Sequence, residues 1–568
     1  MSEVSGSLIT RIYGNFAGVD FTNNDVALNR SPDSLNMWKN YKNSIGKHIE
    51  TRPDIEKILV FTETVFGIFF YEIQNQNHLI VHAGTSLYDI YNNDKTKIYN
   101  KMNPKKSQSF IYANILYIKD GLNYLEYDGS TCKEVEGYIP TTTISKAPSG
   151  EGSTYEDVNL LTNKRKNSFC ADGKSTIYKL DASSITSIDK VYVNDVLKTI
   201  TTDYTTDLAN GRVIFTKAPD EPDTDGKDNV LIEFTTANTT TNADKIKKCT
   251  LLSVFDNRVF FSGNQDYPNV IFHSSLDNPR YISDLDFYNE GLDLSPVKAL
   301  IPANNALWVC KKSSQANTTI FYHNPTTDAE YGTVYPSTHS SISTGCATTG
   351  INFKDDIVFF SDRGMEAITG DITTEQVLAH RSSLVDNKLL NEEDYNNMLL
   401  AEWEGYLLVI CGNKVYLADS EQKFYNNNHT EYEWYYWELS ITPKCVAEKD
   451  GILYFGTADG IYTLTKKDTT INSYWTTCED EFKYPQYQKT TNKKGCCIDI
   501  YGNSIKVEVK TDKNAFEEIG TYQNIKGYVV SRIKKKKWKS IQIKISSNEH
   551  FEIEKCSLES FIGSYVKR

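Results

Sequence analysis

The sequence predicts an all-β fold, and three observations support that prediction. The chain of 568 residues contains 37 Tyr and 25 Phe but only 5 Met. Aromatic and β-branched side chains suit the pleated, half-buried surface of a sheet. Alternating apolar and polar runs of strand length occur along the chain, separated by turns that carry Gly, Asn or Asp. Many of these paired runs also recur at a nearly constant spacing.

The recurring unit is a turn, an alternating strand, a second turn and another strand. Seven copies begin at Gly67, Asn114, Asn257, Asn305, Asp355, Glu404 and Asp450. Successive starts are separated by 47, 143, 48, 50, 49 and 46 residues. A period of roughly 40–50 residues built from short strands is typical of β-propeller blades, which bury their faces by stacking on one another. We therefore expect a β-propeller of six to eight blades, with seven as the central expectation. A long β-meander or two sandwiches is the alternative.

The one long interval indicates an inserted domain. Residues 141–248 start with a polar linker and then alternate around the Asn210-Gly211 pair, which is a strong hairpin signal. We interpret this segment as a small β-sandwich. After residue 467 the strands lose the period, which predicts a C-terminal β-sandwich. The expected order is an N-terminal segment that docks on or closes the propeller, a first group of blades, the insert, a second group of blades and the C-terminal sandwich, at residues 1–56, 57–140, 141–248, 249–467 and 468–568.

Two stretches are predicted to be helical or mixed. They are DSLNMWKNY at residues 33–41 and the longer stretch at residues 373–399. The second contains NEEDYNNML, which we expect to form a helix between blades.

The charge of the chain argues against general nucleic-acid binding. The formal net charge is −13 and the isoelectric point is about 5.3, whereas nucleic-acid binding needs a basic surface. The run Lys534–Lys539, with Trp538 inside it, is the local exception. A solvated strand edge is the favoured interpretation, because edge strands often carry Lys that prevents aggregation. A contact with an acidic partner, through Lys535, Lys537 and Trp538, is the alternative.

The sequence shows neither a targeting signal nor the cysteine pattern of a disulfide-bonded protein. No basic start followed by an apolar stretch marks a signal peptide, and no run of 18 apolar residues would span a membrane. The 11 Cys are odd in number and scattered, so free thiols are expected rather than a disulfide framework.

The sequence predicts that the chain is not an enzyme and has no catalytic, cofactor-binding or metal-binding residue. Metalloprotease, phosphate-loop and nucleophile-elbow motifs are missing. His78 and His82 flank a strand-like run, where residues four apart lie about 13 Å from each other. The adjacent Cys496-Cys497 would face opposite sides of a strand. Asp362 and Asp459 resemble parts of the sialidase Asp-box but lack its spacing, so they are interpreted as turn acids.

The segment NFAGVDFTNNDVALNRSPDSLNMWKNYKNSIGKHIETRPDI, residues 15–55, carries a family resemblance. It resembles the opening of tail hub, tail nozzle and "stabilisation" proteins of tailed phages, whose core is a β-propeller. The matching motif residues are Gly18, Asp20, Asn36, Arg52 and Pro53. Asp54 stands where the family usually has Gly, so that turn is expected to differ. Residues 256–282, the insert and the segment from SYWTT to GSYVKR also look like parts of these proteins, so the resemblance covers nearly the whole chain.

The resemblance implies a structural virion component without catalysis or cofactor. Such proteins form a ring, usually of six copies, at the distal tail, and the ring is a conduit for genomic DNA. The expected partners are other copies of the chain and neighbouring tail proteins such as a portal-side adaptor and tail fibres. The expected location is the virion tail, after synthesis in the bacterial cytoplasm. A negative net charge suits a lumen through which DNA passes without specific binding.

Two rival functions remain at this stage. One is a glycan-binding or receptor-recognising propeller of the virion tail, in which the aromatic run Tyr432–Trp437 stacks on sugars. Packing between blades is the favoured explanation of that run. The other is a cellular scaffold of the WD or kelch type, although the Gly-His and Trp-Asp signatures of WD repeats are absent.

Overall fold

Strands dominate the computed structural model of the chain. It describes residues 6–22, 25–42, 48–237, 241–314, 318–329, 332–369, 376–426, 429–465, 470–534 and 537–565. Within these residues there are fifty strands, two short α-helices and one 3-10 turn, so the all-β prediction is confirmed. Neither helix is long and apolar enough to cross a membrane. Contacts divide the chain into unit 1 (residues 1–70, 79–84 and 341–568) and unit 2 (residues 71–78 and 85–340).

The N-terminal residues form five strands, β1 to β5. The expectation that residues 33–41 are helical or mixed is wrong, because two short strands lie there with Asn36 between them at a φ of 57°. Ser34–Leu35 and Met37–Trp38 each pair with a strand more than 390 residues away, and Met37–Trp38 also pairs with residues 50–51. Strands of two residues are too short for a local pattern to mark them. The bounds are β1 Leu8–Gly14, β2 Ser34–Leu35, β3 Met37–Trp38, β4 Ile49–Thr51 and β5 Asp54–Val60.

Two four-stranded antiparallel sheets follow, each ordered as in the sequence. The first is β6 Val65–Ile73, β7 Gln76–Ala83, β8 Ser86–Tyr91 and β9 Asp94–Tyr99. The second is β10 Gln108–Tyr112, β11 Ile115–Lys119, β12 Tyr124–Tyr127 and β13 Cys132–Glu134.

Residues 141–236 form two sheets that share one apolar core. The core includes Phe169, Tyr178, Val213 and Phe234. The sheets have the orders β15-β14-β16-β22-β18-β19 and β17-β21-β20. The hairpin predicted at Asn210-Gly211 is confirmed, since it connects β20 to β21. The bounds are β14 Thr141–Lys146, β15 Ser153–Thr154, β16 Lys164–Phe169, β17 Ile177–Lys179, β18 Ile185–Val193, β19 Val196–Leu197, β20 Tyr204–Asp207, β21 Arg212–Phe215 and β22 Val230–Thr236, followed by helix α1 Thr241–Lys247.

Three further four-stranded sheets lie between residues 251 and 380. Their orders are β23-β24-β25-β26, β27-β28-β29-β32 and β33-β34-β35-β36, and the hairpin β30-β31 is inserted in the second. The bounds are β23 Leu251–Phe255, β24 Arg258–Ser262, β25 Val270–His273, β26 Phe287–Asn289, β27 Val297–Ala303, β28 Ala306–Lys311, β29 Ile320–His323, β30 Thr326–Asp328, β31 Gly332–Val334, β32 Ser337–His339, β33 Gly350–Phe353, β34 Asp356–Ser361, β35 Gly364–Thr369 and β36 Val377–His380.

The predicted helix in NEEDYNNML is reduced to a single turn. Helix α2 is Asp386–Leu389, before that stretch, and only Tyr395–Asn397 forms a 3-10 turn within it. Residues 373–375 of the longer stretch lie outside the described residues. Tyr395 is nevertheless buried, and its hydroxyl donates to the Ser361 carbonyl at 2.5 Å, so this connection packs on the sheet before it.

Strands β37 to β43 complete the series of small sheets. β37 to β40 pair in sequence order, whereas β41, β42 and β43 take β5 as their fourth strand. β5 therefore continues across the predicted boundary at residues 56–57 and pairs with β43, about 400 residues later. The bounds are β37 Leu399–Trp403, β38 Tyr406–Cys411, β39 Lys414–Asn426, β40 His429–Glu438, β41 Cys445–Lys449, β42 Ile452–Gly456 and β43 Gly460–Thr465.

Six four-stranded sheets share one detail of backbone geometry with β37 to β40, which are the first four strands of a ten-stranded sheet. We count β37 to β40 as the seventh four-stranded sheet below. In each, the first two strands are joined by two residues that both have positive φ, which is the type I′ hairpin turn. These pairs are 74–75, 113–114, 256–257, 304–305, 354–355, 404–405 and 450–451. In the first sheet the position equivalent to Asn114 is Asn75, so the repeat start that we assigned to Gly67 is out of register.

The C-terminal residues form two sheets over a common core. One has the order β2-β44-β49-β46-β47. The other continues from β37 to β40 through β3, β4, β50 and β45 to β48, with β1 also on β50, so it has ten strands. Ile498, Val507, Ile543 and Phe551 belong to the shared core. The bounds are β44 Ser473–Thr476, β45 Tyr487–Gly502, β46 Ile505–Thr511, β47 Glu517–Tyr522, β48 Ile525–Ser531, β49 Ile541–Ser547 and β50 Phe551–Tyr565.

Candidate functional site

The residues that carry the family resemblance form what we call the N-terminal clasp, residues 15–55. Within the clasp, β2 pairs with β44 of the C-terminal sheets, and Met37 of β3 pairs with Tyr436 of β40. Ser31 Oγ donates to the Thr476 carbonyl at 2.6 Å. The clasp therefore ties a four-stranded sheet to the C-terminal sheets of unit 1.

Asn36 and Arg52 are the polar centre of the clasp. Both side chains are buried, at 4% and 5% exposure. Asn36 Oδ1 accepts from Arg52 Nε and from the Glu438 backbone N–H, each at 2.9 Å. Asn36 Nδ2 donates to the Asn472 carbonyl at 2.9 Å. One amide thus connects the clasp, β40 and the segment before β44, and its left-handed φ is one that Asn tolerates better than most residues.

Arg52 satisfies two further backbone carbonyls. Nη1 donates to Pro53 O at 2.8 Å, and Nη2 donates to Glu438 O at 3.0 Å. Burial lowers the pKa of Arg52 to about 10, and Asp54 opposes that shift. The guanidinium is still protonated at neutral pH, so its hydrogen bonds are charge-assisted. Asp54 itself begins β5, so the position that differs from the family pattern is accommodated in a strand.

Gly18 and Asp20 determine the backbone conformation near the start of the clasp. Gly18 has a φ of 94°, and a Cβ there would lie 2.0 Å from the Trp434 carbonyl oxygen. The next amide, that of Val19, donates to this same carbonyl at 2.6 Å. Asp20 Oδ1 accepts from the Thr22 amide and hydroxyl at 3.1 and 2.6 Å. These positions therefore need Gly and Asp because of close backbone approach and turn formation.

An ion pair adds to the clasp in a way that no sequence motif indicates. Arg30 Nε and Nη2 donate to the two carboxylate oxygens of Glu433 at 2.9 and 2.7 Å. Burial raises the pKa of Glu433, while Arg30 lowers it, and the net direction is upward. The partners are 403 residues apart in the chain, so only the folded structure brings them together.

The chemistry of the clasp is structural. Its hydrogen bonds end on backbone groups and on other side chains of unit 1. Of the motif residues, Gly18, Asp20, Asn36 and Arg52 are buried and Pro53 is half-buried. That geometry fixes the relative position of strands. The prediction that the chain has no enzymatic activity stays a prediction.

One group of side chains has the arrangement of a metal site. His48, Glu50 and Glu552 each place a ligand atom within 4.8 Å of the other two, and they are the only such group among the described residues. No sequence pattern predicts this group, because Glu552 lies about 500 residues from His48. The pair His48 and Glu50, two apart before and within a strand, is the sole local signal.

Other candidates from the sequence make separate contacts. His78 Nδ1 lies 2.7 Å from Asp89 Oδ1, and His82 Nε2 lies 3.0 Å from the Gly84 carbonyl. Both histidines are in β7, as predicted for a strand. Cys496 is buried and Cys497 half-buried on β45, which agrees with opposite faces. All eleven cysteines are free thiols.

The lysine-rich run does not present its tryptophan to a partner. Lys535 lies outside the described residues, and Lys537 is exposed. Trp538 is only 1% exposed, and its indole donates to Thr491 Oγ1 at 3.0 Å. Proposing Trp538 as a partner contact was therefore wrong, because its ring packs in the C-terminal core against Phe482.

The aromatic run Tyr432–Trp437 is also internal. It lies in β40, and its five aromatic residues are each at most 1% exposed. These rings pack between strands, so they cannot stack on a sugar at the surface. Asp459 accepts from Thr457 Oγ1 at 2.7 Å within a turn, as interpreted from the sequence.

A shallow surface depression of about 600 Å³ lies beside β45 and β48. Tyr501, Lys526, Glu549 and His550 are among its lining residues. Asn503 Nδ2 and Ser504 Oγ donate to Glu549 at 2.9 and 2.8 Å, and these hydrogen bonds hold the pKa of Glu549 below its usual value. The carboxylate is thus engaged in a local turn.

Comparison with known proteins gives only distant similarity. No family model matches the chain, and no curated protein matches it. Similar solved structures include BamB from Moraxella catarrhalis, with 10% identity over 72% of this chain and 97% of that chain, at a TM-score of 0.34. The WD40 domain of SCAP from fission yeast has 8% identity over 73% and 98%, at 0.28. The computationally designed Ika8 protein has 11% identity over 73% and 99%, at 0.31. Likenesses at these TM-scores support no argument.

Proposed function

We propose that the seven four-stranded sheets are the blades of a seven-bladed β-propeller. The supporting observation is the type I′ turn that recurs between the first two strands of every sheet. Strand β5 completes the last of these sheets and leads directly into β6 of the first, which suits a propeller whose last blade is completed by the start of the chain. The long interval before residue 257 would then hold the inserted β-sandwich, and residues 468–568 would form the C-terminal β-sandwich.

We further propose that the chain is a structural subunit of a phage tail hub or nozzle. The observation that carries this proposal is the N-terminal clasp, since the motif residues of the resemblance are those that organise it. Gly18, Asn36 and Arg52 hold strands together, which fits a protein whose task is architecture. In this proposal several copies, six by the family pattern, form a ring around the DNA conduit and dock a portal-side adaptor and tail fibres.

The glycan-binding alternative loses the observation that suggested it. It depended on an exposed aromatic run, whereas Tyr432–Trp437 is buried in β40. Nothing else in the described residues favours that function over the structural one.

Immunogold electron microscopy tests the proposed function. An antibody against the native chain is applied to purified virions of the phage that encodes it. Label confined to the distal tail is the expected result. Unlabelled virions, in a preparation where the antibody binds the purified native chain, would overturn the tail assignment while leaving the propeller proposal to its own test.

A further inference from the structure

The group His48, Glu50 and Glu552 lies where the clasp meets the C-terminal sheets. Glu50 of β4 and Glu552 of β50 are direct partners across the two antiparallel strands. His48 comes two residues before Glu50, so both side chains lie on the same face of the chain. His48 Nε2 is 3.4 Å from Glu552 Oε2 and 3.9 Å from Glu50 Oε2.

The buried carboxylate of Glu50 is only half satisfied. Its side chain is 5% exposed, and Asn40 Nδ2 donates to Oε1 at 2.8 Å. The other oxygen, Oε2, is buried, faces His48, and has no hydrogen-bond partner among the described residues. Burying a carboxylate oxygen without a partner is unfavourable unless a cation or a donor reaches it.

The pairing of Glu50 with Glu552 across neighbouring strands is a second reason to expect a bound cation. Like charges directly opposite each other destabilise an antiparallel pair. One cation between the two carboxylates removes that repulsion and also satisfies Glu50 Oε2. An imidazole nitrogen with two carboxylate oxygens is a ligand set for zinc and related first-row ions, whereas magnesium and calcium prefer oxygen alone.

The spacing of the three ligand atoms suits a small ion. With metal–ligand bonds of about 2.0–2.2 Å, tetrahedral ligands lie roughly 3.3–3.6 Å apart. The 3.4 Å separation of His48 Nε2 and Glu552 Oε2 falls in that range, and the 3.9 Å separation to Glu50 needs only a small side-chain movement. Asn40 would act as the supporting residue that orients Glu50.

We propose that His48, Glu50 and Glu552 bind one divalent first-row transition-metal ion, of which Zn²⁺ is the best match. The ion joins β4 of the clasp to β50 and leaves a coordination position for water. Its role is to lock the N-terminal clasp onto the C-terminal sheets. This inference is independent of the proposed tail function, because it depends only on geometry within unit 1.

The test is metal uptake by the full-length chain. The protein is stripped with a chelator and dialysed against Zn²⁺, and bound zinc is counted by elemental analysis. Wild type is expected to hold one more ion per chain than His48→Ala. Competition with a chromophoric chelator should show that Glu552→Gln lowers the affinity for zinc by at least about tenfold. Loss of a residue that only supports a ligand already lowers metal affinity by about 10–100-fold, and loss of a direct ligand should lower it at least as much. An equal concentration of Mg²⁺ should not displace the zinc.

Matched variants separate this site from other causes of binding. His339→Ala removes an exposed histidine elsewhere, and Glu554→Gln removes an exposed carboxylate two residues from Glu552 on the same strand. Both should bind as wild type. Equal uptake by wild type and His48→Ala would overturn the proposal, since the zinc would then be on thiols or other groups. If His48→Ala does not fold, Glu552→Gln decides the matter, because that side chain is 33% exposed and the change is isosteric.

Discussion

Replacing Arg52 with Ala should destabilise unit 1 strongly. The change removes three donated hydrogen bonds, to Asn36 Oδ1, Pro53 O and Glu438 O. Hydrogen bonds to a charged group contribute roughly 1.5–3 kcal/mol each, but bonds that share one guanidinium are not additive. All three acceptors are neutral and lose a donor when Arg52 is truncated, and a buried polar group left without its partner costs about 1–3 kcal/mol. We therefore expect the free energy of unfolding to fall by about 4 kcal/mol.

Tryptophan fluorescence during urea unfolding is the appropriate assay. Six of the seven tryptophans lie in unit 1. Trp38 of the clasp packs against Trp403 and Trp437. The fluorescence transition therefore reports mainly on the unit that contains Arg52. The midpoint and slope should be fitted separately, because a midpoint shift at constant slope reports a change in stability, whereas a changed slope reports altered compactness or loss of two-state behaviour.

Two further variants make the result interpretable. Arg52→Lys keeps the charge but has a single donor group, so it should recover only part of the loss. Arg363→Ala removes an exposed arginine of the same unit, and it should change the free energy of unfolding by at most about 0.5 kcal/mol. If Arg52→Ala is no more destabilised than Arg363→Ala, the clasp does not depend on this side chain and our account of the motif is wrong.

Two other predictions concern backbone geometry and pH. Gly18→Ala should cost about 3 kcal/mol or more, because its Cβ would meet the Trp434 carbonyl oxygen at 2.0 Å. Gly6→Ala, at the same φ of 94° but in open space, should cost clearly less, and equal losses would refute the contact argument. Burial lowers the pKa of His380, but hydrogen bonds to Asp386 and a second carboxylate outweigh it and raise that pKa to about 10. Because the pKa of His380 is higher in the folded than in the unfolded chain, its ion pairs stabilise the fold fully below about pH 6.5, and this contribution is lost as the pH rises towards 10. His380→Gln should therefore make the urea midpoint less dependent on pH between 6.5 and 10. A variant with the same pH profile as wild type would contradict the assignment.

The repeated hairpins were predictable from local sequence. A two-residue turn such as Asp256-Asn257 or Asn304-Asn305 lies between alternating strands, and both of its residues adopt positive φ. Asn and Asp accept that conformation more easily than most residues, so the turn and its flanking alternation are encoded within a few residues. The Asn210-Gly211 pair also located a hairpin, although the connection there has four residues, 208–211, and only Gly211 has a positive φ. The repeat start assigned to Gly67 is out of register because Gly67 lies inside strand β6, and a glycine in an alternating run was interpreted as a turn residue.

The clasp was not predictable in the same way. β2 and β3 are each two residues long, and their partners Trp475 and Tyr436 lie hundreds of residues away. β4, which also pairs with β3, is only three residues long. A residue pattern of length two contains no period, so tertiary contacts alone decide the conformation. The group His48, Glu50 and Glu552 is of the same kind, because only the β4–β50 pairing brings its members together.

The burial of individual aromatic residues could not be predicted from local sequence either. Trp538 follows four lysines and therefore has the surroundings of a surface residue. Its backbone pairs with Lys489, and its indole nitrogen donates to Thr491. Those partners come from β45, almost fifty residues earlier, so the alternation of exposed Lys and buried Trp appears only once the strands are paired.

Single-particle cryo-electron microscopy of the purified virion tail tests the central claim most directly. The account predicts a ring of copies of this chain around the tail channel, with six copies by the family pattern. In each copy the seven four-stranded sheets should be arranged as radial blades, and β5 should complete the last blade beside β43. A tail in which no density fits this chain, or a fitted chain whose seven sheets do not surround a common axis, would contradict it.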